Sequence, residues 1–268
     1  MALKTVYDNK IKYNKIVGTI DNLEEKLNGN IPVDRLELLY LVNSWGKNKY
    51  FEDHFELDEH IENGYIPIEF SEKKCYDLSK LDTSKITDMS QLFYYSEFNG
   101  DISNWDVSNV TNMQAMFAFT NDFNSDIGNW NTSNVTNMSE MFLYATRFKS
   151  NIGNWDVSNV TSMSVMFHNA SNFNQALNDW DVSNVTDMRG MFRDTKEFNQ
   201  ALNNWDVSSV TNMSGMFCLA RDFNQALDKW DVSKVIDMNG MFQDAIAFTT
   251  KFNNGNSLPN DTNELKVW

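Results

Sequence analysis

The 268-residue chain is 41% hydrophobic and 13% aromatic, contains only three prolines, and carries a formal charge of -15. This composition, with no long apolar run, excludes collagen-like, disordered and membrane-inserted classes. The negative balance also argues against nucleic acid, whose phosphates need a basic footprint.

Residues 1–8 hold no apolar core of a signal peptide, so the chain as given reads as cytoplasmic, or as cell-surface or secreted if an export signal was removed. Residues 1–77 form a module of their own, mainly helical. Asp21-Asn22-Leu23-Glu24 has the spacing of a capping box and Gly29 follows as a stop, which predicts a first helix. Pro32 opens a second, amphipathic segment with Leu36, Leu39, Tyr40 and Val42, ending near Trp45 or Gly46. Residues 51–68 fit a third helix or strands equally well. His54 and His60 sit there among six acidic residues. Their spacing is no recognised metal-ligand pattern, and the run reads as a solvated acidic face. The module is either a cap over an open apolar end or a separate recognition unit. An enzyme site within it is the least favoured alternative.

A repeat occupies residues 78–248. Trp105, Trp130, Trp155, Trp180, Trp205 and Trp230 recur every 25 residues. Each is followed by near-identical text, as in Asn204-Trp205-Asp206-Val207-Ser208-Ser209-Val210-Thr211-Asn212-Met213 and then Met216-Phe217. A short fixed period predicts one supersecondary unit stacked on its own copies, here about seven coils. Apolar residues fall at Leu202, Trp205, Val207, Val210, Met213, Met216, Phe217, Ala220 and Phe223. A step of two predicts a short parallel strand over residues 205–208, and steps of three a helical turn over 213–217. The expected fold is therefore a leucine-rich-repeat-like solenoid. The first copy, from Leu78, lacks the Trp. Residues 249–268 are a C-terminal cap or a loosely ordered tail.

Asp106, Asp156, Asp181, Asp206 and Asp231 share one position of the unit, with Asn131 in the remaining copy. Each can close an Asx turn with the Ser two residues on. The alternatives are an acidic stripe for a basic partner or, least favoured because the glycine-rich nonapeptide of calcium-binding solenoids is absent, for Ca²⁺. Repeated asparagines predict amide ladders between coils, which also makes the Asn-x-Thr pattern a by-product of the repeat. Positions that vary between copies are released from coil building. Phe119, Leu143 and Tyr144 among them would form an apolar patch if exposed. The candidate partner contacts are thus Asp156, Asp181, Asp206, Asp231, Phe119, Leu143 and Tyr144. Cys75 and Cys218 make no disulfide framework, and no catalytic, cofactor or metal motif is present.

The run Asn-Trp-Asp-Val-Ser-Asn-Val-Thr-Asn-Met, the Met-Phe pair and Phe-Asn-Gln-Ala-Leu at residues 173–177, 198–202 and 223–227 resemble the BspA-like leucine-rich-repeat surface proteins. The resemblance covers residues 78–248 and implies a surface, adhesion or interaction role without catalytic residues. Together these features predict a monomeric, non-catalytic, acidic protein-binding scaffold. It would act as an intracellular inhibitor, immunity or adaptor protein, or alternatively as an extracellular adhesin. Its partner is a protein, basic in character.

Overall fold

The computed structural model describes residues 22–43 and 76–252. The repeated apolar positions all turn inward: Phe167, Met163, Val160 and Ile152 are completely buried, and Trp155 is 3% exposed. Burying one such set leaves the coil's two open sides apolar, so the next copy must stack on it. The rings align accordingly. Phe142, Phe167 and Phe192 stack at 5.6 Å with nearly parallel planes, and a second column (Phe148, Phe173, Phe198) runs beside it, Phe167 lying 4.1 Å from Phe173. The tryptophans form a third column, Trp180 and Trp205 lying 6.5 Å apart and 2° from parallel. Each indole N–H is satisfied by the preceding coil: Trp205 Nε1 donates to the Leu177 carbonyl at 2.8 Å. Tryptophan is a building residue here, buried yet hydrogen-bonded, as a core indole requires.

The backbone joins the coils at one place. Parallel bridges connect Asp88, Asn112, Asn137, Ser162, Asp187, Asn212 and Asp237 in succession. From each bridge onward the N–H groups divide into two sets. Those of Met213, Gly215, Phe217 and Leu219 donate to carbonyls of Asp237, Asn239, Met241 and Gln243 in the next coil. Those of Met216, Cys218 and Ala220 donate three residues back. No continuous strand or helical turn results, and here the expectation from spacing is corrected. Residues 205–208 carry no ladder, because Asp206 draws the Ser208 N–H into a local turn at 3.0 Å and Val210 N–H closes on Val207. Residues 213–217 form turns bonded both locally and across coils.

Alternation of this kind needs left-handed residues. The turns closed by Met216 and Ala220 have φ 61° at their third residues, Gly215 and Leu219, as type II turns require. Glycine meets that need without strain at Gly190, Gly215 and Gly240, but earlier copies place Val165, Glu140 and Ala115 there. Such residues cost about 1–3 kcal/mol each, and the bonds to the adjoining coil hold them in place. On another side of each coil, Thr186 donates both its N–H and its hydroxyl to the Thr161 carbonyl, at 2.9 and 3.2 Å. The asparagine amides also bridge coils, Asn159 Nδ2 reaching the Ser133 carbonyl at 2.7 Å.

At the N-terminal end lie α1 (Leu23–Leu27) and α2 (Arg35–Asn43). Asp21 of the expected capping box lies outside the described residues, and Asn22 makes no side-chain cap. Gly29 ends α1 as expected: at φ 76° its N–H bonds Lys26 while Asn30 N–H bonds Glu25, a Schellman closure. A Cβ on Gly29 would also lie 2.3 Å from the Lys80 carbonyl oxygen. A reciprocal capping box opens α2, Asp34 and Glu37 each accepting the other's N–H at 2.9 Å. Leu38, Leu41 and Val42 of α2 join the core that begins at Leu78 and Leu81. The expected α2 end near Trp45, the segment 51–68 with His54 and His60, and Cys75 lie outside the described residues. At the other end, α3 (Ile246–Phe252) seats Phe248 against Phe242 at 4.1 Å and Phe223 at 5.8 Å.

Candidate partner-binding surfaces

The repeated aspartates lie on the exposed surface just after each repeated Trp, of which Trp230 is half-buried and the others buried. Asp156, Asp181, Asp206 and Asp231 each accept the N–H of the serine two residues on, at 3.0–3.1 Å. The hydroxyls of Ser158 and Ser183 add bonds of 2.6 Å to the same oxygen. Asn131 closes the same turn with Ser133 at 3.2 Å, so the turn needs an acceptor and not a charge. One carboxylate oxygen is therefore committed to the coil. For Asp156, Asp181 and Asp206 the second makes no hydrogen bond among the described residues.

Serine hydroxyl and backbone N–H bonds hold Asp106, Asp156 and Asp206 below the ordinary carboxylate range. At the start of their coils Asp77 and Asp101 are lowered by the same two kinds of bond, from Ser79 and Ser103. A lowered folded value means the folded chain binds fewer protons than the unfolded one. The stabilisation from these turns is then fully present above the unfolded value of about 3.9 and is lost as pH falls through the folded values. These five turns should accordingly contribute equally to Tm between neutral pH and about pH 5, and the fall in Tm below about pH 4 should be shallower in a variant with Asn at all five positions.

The second surface arises from the varying residues. Phe119 and Tyr144 stack at 5.0 Å, both half-buried, with Leu143 adjoining in the chain. Their φ values of 59° and 56° place them as third residues of left-handed turns. The stack is longer than the spacing of the repeat suggests. Tyr95 lies 4.2 Å from Phe119, Tyr94 meets both edge-on, and His168 continues beyond Tyr144 at 5.3 Å. The tyrosines were hidden by the divergence of the first copy. The signal was nevertheless there, since Tyr94-Tyr95 follows Phe93 as Ala118-Phe119 follows Phe117. Beyond His168 the aromatic run ends, with Arg193 and Asp194, then buried Cys218 beside half-buried Leu219, and then Gln243 and Asp244. Burial and the nearby Arg193 both push the His168 pKa down. Cys218 in the same column is buried, and burial pushes its thiol up, away from the reactive thiolate. No hydrogen bond or ring contact joins the acidic row to the aromatic stripe among the described residues.

Among the described residues there is no cluster of three metal-ligating side chains, and no helix long and apolar enough to cross a membrane. Comparison with curated proteins finds no match. A family model described as "Mycoplasma protein of unknown function, DUF285" matches residues 68–178 and again 145–255. The overlap reflects the repeat, since one model can be laid on the stack at more than one coil. The matches together span most of the chain, and the protein belongs to this DUF285 family of tandem-repeat proteins.

Proposed function

We propose that the chain is a non-catalytic protein-binding scaffold, a leucine-rich-repeat-like solenoid of the BspA-like kind that recognises a basic partner through its acidic row. The observation that carries this reading is the division of labour within the unit. Repeated side chains are buried or bonded between coils, whereas the carboxylates of Asp156, Asp181, Asp206 and Asp231 stand exposed in register, and those of Asp156, Asp181 and Asp206 each keep one oxygen without a hydrogen bond among the described residues. Such a surface is preorganised by coil stacking, so a partner meets little ordering cost, and the charge steers its approach. Phe119, Leu143 and Tyr144 supply an apolar contact of the type that anchors protein interfaces. An inhibitor, immunity or adaptor protein would use such equilibrium recognition.

Asn131 makes the test clean, because the chain itself demonstrates that Asn sustains the turn. A variant carrying Asn at 156, 181, 206 and 231 should fold with a Tm close to that of the parent. Its retention of the partner in pulldowns at low salt should fall at least tenfold, and parental binding should weaken steadily as salt is raised. A tight partner indifferent both to salt and to the four substitutions would overturn the acidic-row reading. The corresponding Ala variant should also lose stability, separating turn from charge.

A further inference from the structure

The face that carries the aromatic stripe changes character halfway along the stack. Its left-handed column reads Ala115, Glu140 and Val165 in the earlier coils and Gly190, Gly215 and Gly240 in the later ones. The glycines show what the coil itself prefers at a positive φ. Glu140 and Val165 are held against that preference, and strain retained at a surface marks use rather than building. The neighbouring column is graded as well. Leu143, His168 and Arg193 each close a turn on Glu140, Val165 and Gly190 respectively. A Cβ on Gly190 would lie 3.9 Å from the Arg193 Cβ, and one on Gly215 3.9 Å from the Arg193 Nη1. A ridge of half-buried side chains, Glu140, Leu143 and Tyr144, thus precedes a trough floored by Gly190 and Gly215, with the coil of Val165 and His168 between them.

The charges follow the same order. Among the described residues, neither the Glu140 carboxylate nor the exposed Arg193 guanidinium makes a hydrogen bond or ion pair. They lie one coil to either side of Val165, in neighbouring columns. Exposed Arg189 leans toward the same middle coil, its Nη2 donating to Ser164 Oγ at 3.3 Å. A two-fold axis normal to this face, passing between Val165 and His168, lays ridge on trough and interchanges the two columns. Glu140 then faces Arg193 of the second copy, Leu143 sits over its Gly190, and Tyr144 meets its Arg189. A surface that complements itself in both shape and charge fits another copy of the same chain.

We propose that the chain forms an isologous dimer, two stacks lying antiparallel and face to face about an axis between Val165 and His168. Every contact occurs twice, so each Glu140–Arg193 pair has a twin, and the interface closes at two copies. This dimer takes the place of the monomer expected from the sequence. It goes beyond the scaffold reading: the apolar contact at Leu143 and Tyr144 serves the second copy, and the acidic row stays open to a basic partner.

Sedimentation velocity on the full-length chain tests the assignment. The parent should pass from monomer to dimer as concentration rises, and stop there. Glu140→Arg and Arg193→Glu should each keep a near-parental Tm and weaken self-association at least tenfold, since each variant sets like charges opposite one another twice. An equimolar mixture of the two variants should recover dimerisation, because both contacts then join Arg to Glu. Gly190→Val places at this coil the residue that the preceding coil already supports at Val165, and it should fold yet remain monomeric. A parent that stays monomeric into the high-micromolar range overturns the proposal. So do association untouched by the charge reversals, a mixture no tighter than its components, a folded Gly190→Val chain that still dimerises, or oligomers that grow past two. The variant with Asn at 156, 181, 206 and 231 should dimerise like the parent, so loss of the basic partner and loss of the dimer are told apart.

Discussion

Replacing Phe167 by Ala should lower the unfolding free energy by about 4 kcal/mol, the upper part of the range for a fully buried aromatic. Phe167 is completely buried and touches Phe142 and Phe192 in its own column and Phe173 in the neighbouring one. A cavity here lies between coils on both sides. Neither side can collapse without shifting the inter-coil bonds from Phe142 N–H to Met166 and from Phe167 N–H to Met191. In a stack held by nearest-neighbour contacts, the lesion also uncouples the halves. Urea unfolding followed by tryptophan fluorescence should show an earlier midpoint and a broadened or split transition. Phe242→Ala is the control. That ring is 6% exposed and, among the described residues, stacks within its own column only on Phe217, at 5.5 Å, so its loss should cost less and leave a single transition. Equal effects at the two sites would refute the nearest-neighbour account.

Arg35→Ala should unravel the first coil while sparing the rest. The carbonyls of Asp88 and Ser90 face backward, and among the described residues no backbone N–H groups meet them. The Arg35 guanidinium takes their place, Nη1 donating to the Asp88 carbonyl and Nη2 to that of Ser90 at 3.1 Å. It also pairs with the Asp88 carboxylate at 3.2 Å. A planar fork suits two carbonyls in a row, and bonds of this charged kind contribute about 1.5–3 kcal/mol. Exchange at Met89, Gln91 and Phe93, whose N–H groups bond Asn112, Gln114 and Met116, should accelerate about thirtyfold for a local loss of about 2 kcal/mol. Met163 and Phe167 amides should be unchanged. Lysine at 35 should recover only part of the protection. A uniform acceleration, or none, would remove Arg35 from its role at the edge.

Much of this organisation is legible in one chain because side-chain burial repeats with the period. Trp205, Val210, Met213, Phe217 and Phe223 declare themselves as core by type and spacing, and Gly29 declares a helix stop. The Asx turns were legible as well, since Asp and Ser two residues apart form a local unit needing no distant partner. The Asp34–Glu37 capping box was equally local, yet was overshadowed by Pro32 as a start signal.

What the amino-acid sequence by itself determined is the repeat, its inward-facing residues and the acidic register. The tertiary structure alone decided where the coils join. The expected strand at 205–208 and helical turn at 213–217 were inferred from apolar steps, but apolar steps report only which side chains are buried. Which backbone groups pair depends on the carbonyls of a neighbouring coil, as with Met213 and Asp237, and no local pattern encodes them. The same dependence makes left-handed residues of Val165 and Glu140, extends the aromatic stripe to Tyr94 and Tyr95, and sets Arg35 against the carbonyls of the first coil. Local preference is written in the residues, whereas the direction of a hydrogen-bond ladder exists only once two coils lie side by side.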